Sequence, residues 1–551
     1  MLEVRGKMHA KLARYLTSHV SRLTFDVLRF AFHILLSTLF LLTSCSPADP
    51  PRPELRIIFP TDDRPTPTRT PTPLPTPTAT PRPTPVAPPI TEYRALWVDG
   101  STPGLQTPEQ VTQLIRDCQS ISCNMLLVQI RIYANALQAK SSEPRATSLP
   151  NDFDPLTDVI SKAHSVSPPI EVHAWMNTFP VWPTDSEPPP SPDHILNTHG
   201  LSAQGADMWL ALNEQGNTSG SGLYWLDPGN PAAAAFVVNQ VVSVVKNYAV
   251  DGVHLDFIRY GGVQWGYNPV SVTRFRARYN RTDTPAPDDA QWSQWRRDQV
   301  TAVVRRIWLE ATAVNPRIKV SAALIPWGDG PASDDAWTDT SAYRTVFQDW
   351  RAWLQGGILD IAIPMNYFPD STMSANFDHW IEFEKNHRYN RHVVIGMGNY
   401  LNSLEETLAQ IRRARGRSTS GERADGLSIY VYNQTNKDRL PFSQFVEVAT
   451  LGITPSPAFP VFAPNAAIPP MPWKSEPATG HLMGLAATTD KPADGATVTL
   501  TGPVGRTATA DGNGFYGFVD LPPAVYRVAV GQTIRPVTVT AGIVATLNIT
   551  R

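Results

Sequence analysis

Cysteine is nearly absent, with three copies in 551 residues, so covalent bracing is limited to one intrachain bond at most. Charge is balanced: 47 Lys and Arg stand against 49 Asp and Glu, a formal net of -2, and no Lys/Arg cluster forms a stripe on a recognisable motif. That excludes nucleic acid as an expected partner. Long apolar runs are missing too. The run from Ala31 to Thr43 is too short to span a bilayer comfortably. The length, by contrast, exceeds one ordinary domain and allows a large core plus an accessory module.

The apolar run follows Lys11, Arg14, Arg22 and Arg29, the charged-then-apolar order of a secretory signal. It ends in Leu42-Thr43-Ser44-Cys45, which resembles the lipobox of bacterial lipoproteins, where the cysteine becomes the acylated first residue. The resemblance implies a signal over 1–45, lipidation at Cys45 and an exported chain anchored to a membrane outside the cytoplasm. An uncleaved anchor or a chance cysteine is the alternative. Cys118 and Cys123 remain as an even pair, and C-x4-C fits a disulfide or two buried thiols alike. Residues 46–90, dominated by Pro and Thr, cannot bury a core and predict a stiff spacer. At ~3 Å per residue it reaches on the order of 100 Å.

Residues 91–453 alternate between strand and helix patterns. Strands are predicted at Tyr93–Asp99, Met125–Ile130, Ile170–Thr178, Asp251–Asp256, Lys319–Ile325, Ile358–Tyr367, Val393–Met397 and Gly426–Tyr432. Capping signals at Thr107-Pro108-Glu109-Gln110, Asn230-Pro231 and Ser403-Leu404-Glu405-Glu406 open helices between them, and Phe442 to Leu451 supplies a closing helix. Eight such units imply an α/β fold, a (β/α)8 TIM barrel. A Pro-rich linker, 454–477, separates residues 478–551, whose short alternating runs and Asp511-Gly512-Asn513-Gly514 turn predict a small all-β sandwich. The linker predicts a barrel that works without its tail.

The chemistry centres on Asp251-Gly252-Val253-His254-Leu255-Asp256-Phe257. Period-two alternation puts Gly252, His254 and Asp256 on one face and ends that face in a carboxylate at the strand's C-terminal end, where barrel active sites lie. Asp251, at the opposite end, predicts a structural role. His254, one layer deeper than Asp256, predicts a hydrogen-bonded core histidine.

Several ordered stretches resemble the glycosyl-hydrolase-like 10 family: Arg94-Ala95-Leu96-Trp97-Val98, Asn124 to Arg131, His173-Ala174-Trp175-Met176-Asn177, Leu226-Asp227-Pro228-Gly229, Asp251 to Tyr260, Gln348 to Leu354 and Pro364-Met365-Asn366-Tyr367. The likeness covers roughly residues 91 to 450. It implies a TIM-barrel glycoside hydrolase acting on a polysaccharide, some relatives cleaving bacterial cell-wall glycan, with no cofactor. Many members carry a second acid directly after the strand's aspartate, where this chain has Phe257. The tail, through stretches such as Ala510 to Phe518, resembles the carboxypeptidase regulatory-like module.

Glycoside hydrolysis needs an acid for the leaving oxygen and a carboxylate to attack or to activate water. Asp256 sits where the second role is filled, and the partner acid is left open. Asp99, Asp329 and Asp370 each follow a predicted strand, and Asp329 is favoured because Trp327 stands beside it. Glu171 and Asp360 begin strands and should face away. Arg131, His173, Trp175, Asn177, Arg259, Tyr260, Trp327, Asn366 and Tyr367 are the candidate substrate-binding residues. Two other readings remain: a glycan-binding surface lipoprotein without catalysis, and a metal-dependent carbohydrate deacetylase using His254, Asp256 and His173.

Overall fold

The structure is a computed structural model that describes residues 90–218, 222–451, 462 and 465–551. Cys45, the signal over 1–45, the spacer up to residue 89 and most of 454–464 lie outside the described residues.

Eight parallel strands form the barrel: β1 Tyr93–Val98, β2 Met125–Ile132, β3 Glu171–Asn177, β4 Gly252–Asp256, β5 Lys319–Leu324, β6 Ile361–Asn366, β7 His392–Gly398 and β8 Gly426–Tyr430. Each pairs with the next, and β8 pairs with β1, so the sheet closes. The helices that follow are α1 Pro108–Ser120, α2 Pro155–Ser165, α3 Pro231–Asn247, α4 Pro269–Tyr279, α5 Ala290–Val314, α6 Trp350–Gln355, α7 Asp370–Asn386, α8 Leu404–Arg415 and α9 Phe442–Leu451. Sequence reasoning misses α4 and α7. α7 follows Pro369, which supplies no side-chain cap, and is kinked at Met373, with φ -134°, so neither start signal nor clean periodicity announces it.

The caps explain why the other helices start where they do. The Asn230 side chain accepts from the backbone N–H of Ala232 and Ala233, with Pro231 at the first helical position. Ser403 and Glu406 complete a reciprocal capping box. Thr107 makes only half of one: it accepts from Gln110 N, while the Gln110 side chain turns back to Gly104 N and Gln106 N.

Alternation along each strand sorts side chains into two layers. Leu96, Val98, Leu126, Val128, Val253 and Leu255 pack outward against the helices. Tyr93, Trp97, Leu127, Trp175, Ile361, Ile363 and Val394 fill the barrel axis. Gly252 is needed beneath this packing, since a Cβ there would come within 2.4 Å of His173 Nδ1. Cys118 and Cys123, at the α1–β2 turn, form a disulfide.

The barrel's N-terminal end carries the structural ionic groups. Asp251 accepts from Val172 N and His164, and Glu171 pairs with Lys319. Asp360 is fully buried. Although burial alone would raise its pKa, Lys474 and Arg391 hold it below the usual carboxylate range.

Residues 465–477 are not a free spacer. Ala467 exchanges backbone hydrogen bonds with Ile90 and Glu92, and Met471 and Trp473 pack into the axial core. Trp473 Nε1 donates to Asp360 Oδ1 at 2.8 Å, and Lys474 Nζ lies 3.4 Å from Asp360 Oδ2. The tail forms two sheets with strands from Gly480 to Thr550. It is pinned to the barrel by Arg274–Asp494 and Arg391–Asp520 ion pairs and by Phe515 and Val519, which join the barrel's outer core. An independent barrel ending at residue 453 would lose the plug of its own N-terminal end.

Candidate active site

Asp256 ends β4 inside the mouth and is 6% exposed. Its Oδ1 accepts from the N–H of Phe257 at 2.7 Å and its Oδ2 from Trp175 Nε1 at 3.0 Å. Phe257 holds a left-handed φ of 54°, a conformation that costs energy in a non-glycine residue and clusters at functional sites. Burial pushes the Asp256 carboxyl up to about 6, and the Phe257 N–H, the Arg259 charge and the Trp175 N–H only partly oppose it.

Asp99 follows β1 on the same rim. Its Oδ1 accepts from Ser101 N and Ser101 Oγ. The loop is tied across the strands: Gly100 N donates to Gln129 Oε1, and Gln129 Nε2 donates to Asn177 Oδ1. Asn177 stands in register with Asp256. Tyr133 and Tyr430 have their hydroxyl pKa raised first by burial and then by the charges of both Asp99 and Asp256. Two carboxyl groups therefore bracket the same tyrosines.

Aromatic rings line the rest of the mouth. Tyr430 stacks on Tyr367 at 5.0 Å and meets Trp97, Trp175 and Tyr400 edge-on. The Tyr367 hydroxyl is buried without a hydrogen-bond partner among the described residues. Arg259 sits among Trp225, Phe257 and Trp327 at 5.1–5.4 Å from their ring centres. Its guanidinium donates to Tyr260 O, and burial lowers its pKa to about 10 against the pull of Asp256. Trp225 comes from the hairpin of the long insertion after β3, which thus reaches the mouth. Trp327 is 47% exposed, a free face of the kind on which sugar rings stack.

Several of the expected binding residues prove to be supports. Arg131 is buried in a bidentate pair with Glu143 and donates to the carbonyls of Asn177 and Thr178. His173 is fully buried below the mouth, between Ser321 and Glu171. His254 is likewise a core residue, 2.9 Å from Ser321 Oγ, with its pKa held well below the ordinary range by burial and by His173. The Tyr260 hydroxyl donates to Asp227, which also accepts from Gly229 N and Asn268 N and braces the β4 loop. Asn366 faces outward and donates to the buried Glu384 of α7, because neighbouring residues of a strand point to opposite sides. Trp175 and Asn177 do face the mouth, but Trp175 Nε1 donates to Asp256 and Asn177 Oδ1 accepts from Gln129.

Among the described residues no hydrogen bond joins Asp329 to Asp256. Asp329 is exposed, accepts from Asn376 Nδ2 at 2.6 Å and fastens its loop to α7. Asp370 opens α7 and is paired with Arg413. Of the three candidates for the second acid, Asp99 is the one that shares neighbours with Asp256. Its signal in the sequence is its position directly after β1. Among the described residues no group of three or more His, Cys, Asp and Glu could hold a metal ion.

A closed barrel of eight parallel strands, with Asp256 at the C-terminal end of one of them, defines the class. The chain belongs to the glycosyl hydrolase-like 10 family, whose model matches residues 92–412. It is 26% identical over 425 residues to "Glycosyl hydrolase YngK" of Bacillus subtilis, covering 69% of this chain and 74% of that one. It is 27% identical over 229 residues to "Glycosyl hydrolase DigH" of Escherichia coli K12, covering 41% of this chain and 49% of the relative, so it spans about half of that protein. Among solved structures, the PgaB (BpsB) glycoside hydrolase domain of Bordetella bronchiseptica aligns at 13% identity and TM-score 0.44, over 65% of this chain and 99% of that chain. The catalytic domain of a Paenibacillus polymyxa beta-amylase aligns at 11% and 0.45, over 65% and 98%.

Proposed function

We propose that the protein is a glycoside hydrolase that cleaves a polysaccharide, bacterial cell-wall glycan being the first substrate to try. Asp256 is its acid and Asp99 the second carboxyl group. One observation carries the reading: the desolvated Asp256 carboxyl and the less buried Asp99 both act on Tyr133 and Tyr430 at the mouth. Burial favours the protonated form of Asp256, the form a general acid needs. Protonated Asp256 gives its proton to the glycosidic oxygen as the bond to the anomeric carbon breaks. Asp99 attacks that carbon or draws a proton from the water that does. Trp327 and Tyr367 offer faces to the sugar rings, and Arg259 offers N–H donors to hydroxyls.

The test is the release of reducing ends from peptidoglycan glycan strands and other polysaccharides, followed against pH. An acid that must be protonated, with its pKa near 6, gives a rate that falls as pH rises through about 6. A rate that instead rises through that range would assign Asp256 the ionised role.

The same reading keeps the chain outside the cytoplasm, tethered at Cys45. The lipobox-like ending at Cys45 and the Cys118–Cys123 bond, of a kind that persists in oxidising compartments, support it. Incorporation of a fatty-acid label should depend on Cys45, and a Cys45→Ser chain that labels equally well would refute the anchor.

A further inference from the structure

A second polar recess lies away from the mouth, in the seam between the barrel and the tail. It is a cleft of about 590 Å³ walled by α4 and α5 on one side and by the strands Arg506–Thr509 and Phe515–Leu521 on the other. That volume lies within the range of small-molecule sites. None of its lining residues belongs to the mouth.

The wall carries unused hydrogen-bonding capacity. The Arg305 side chain lines the cleft half-buried and makes no hydrogen bond within the described residues, although the charges of Asp298 and Asp511 act on it. Neither acid reaches it as an ion pair. Asp298 accepts from Gln294, and Asp511 accepts from Asn513 N and Phe515 N through a single oxygen. Tyr279 adds a half-buried ring to the same wall. The seam below is already closed by Arg274 and Asp494, at 2.7 and 2.8 Å. A guanidinium and carboxylates left apart in one recess leave donors and acceptors side by side, open to water or to a ligand.

The charges select the ligand. An anion would meet Asp298, Asp494 and Asp511, and a cation would meet Arg274, Arg278, Arg305 and Arg506. A neutral molecule with neighbouring hydroxyls satisfies both sets at once, each hydroxyl accepting from Arg305 while donating to a carboxylate. We propose that this cleft is a docking site for a saccharide unit of a polysaccharide, separate from the mouth. The inference rests on the polysaccharide reading of the barrel. Its purpose is retention: a polymer held at the seam presents its other units to the mouth at raised effective concentration.

The test uses the full chain carrying Asp256→Asn, so that the probe is not consumed. Binding of soluble peptidoglycan glycan strands, xylan and dextran is measured by calorimetry. At least one should bind, and Arg305→Gln added to that chain should weaken it at least about tenfold, as expected for one charge-assisted hydrogen bond. Thr509→Trp, at an exposed position of the tail wall, should do the same by filling the cleft. Both variants should keep the parent melting temperature. With Asp256 intact, Arg305→Gln should leave reducing-end release from short soluble oligosaccharides unchanged while raising KM for the polymer. Unaltered polymer binding in folded Arg305→Gln and Thr509→Trp chains would overturn the docking site and leave the glycosidase reading standing. Binding of none of the three polymers overturns it as well. Absence of reducing-end release by the wild type is the separate failure of the glycosidase reading.

Discussion

Asp99→Asn should lower reducing-end release at least ~10²-fold, whereas Asp329→Asn should leave it within a factor of about two. The first removes the carboxyl group proposed to attack or to activate water, and loss of a positioned acid/base or nucleophilic group costs ~10²-fold or more. The second removes one acceptor of Asn376 on an exposed loop, a surface contact of the kind whose loss changes stability by ~0.5 kcal/mol or less. The Asp99 loop should stay in place in Asp99→Asn, because Gly100 and Gln129 hold it independently of the carboxylate. Running the two variants side by side in the same assay therefore separates the acid that shares the mouth from the one that merely follows a strand.

Asp256→Asn has an effect of opposite sign on activity and on stability. The carboxyl has a folded pKa of about 6 against 3.8 for the ordinary group, so folding favours its protonated form. Stability is complete below the ordinary value and is lost as pH rises through about 6. The difference of about two pH units corresponds to roughly 3 kcal/mol on the scale of about 1.4 kcal/mol per unit. Asparagine carries no charge and keeps an oxygen to accept from Trp175 or from the Phe257 N–H. At pH 7 the variant should unfold at an equal or higher temperature than the wild type, by up to ~3 kcal/mol, while its hydrolysis falls at least ~10²-fold. Such a residue, costly to keep and needed for the reaction, is what a functional site predicts.

The barrel was legible because its signals are local. Alternation in Gly252–Asp256 gave both the strand and its polar face, and Asn230-Pro231 gave the start of the preceding helix. What escaped notice is what depends on geometry between strands. Asp99 and Asp329 look alike in sequence, each an acid just past a strand, and only the Gly100–Gln129–Asn177 hydrogen bonds across three strands tell them apart. Asn366 and Tyr367 look like a pair at a strand's end, yet strand parity sends one to α7 and the other to the mouth. That much was available from period two alone. Arg131 and His173 carry polar chemistry that the sequence offers equally to substrate or to Glu143 and Glu171, and the partners lie 12 residues away in one case and two in the other. Proline in 465–477 predicts a spacer, but Met471, Trp473 and Lys474 are core and ion-pair residues in that same stretch, and they seal the barrel's N-terminal end.

The central claim, that Asp256 is the acid of a glycosidase, is tested most directly by measuring reducing-end release from a polysaccharide by wild type and Asp256→Asn at pH 5 to 8, with the melting temperature of each recorded in the same buffers. The expected result is a wild-type rate that declines above about pH 6 and a variant that is folded, no less stable, slower by at least ~10²-fold at pH 5 to 6, and without that decline. A folded Asp256→Asn chain that hydrolyses the polymer at the wild-type rate would contradict it.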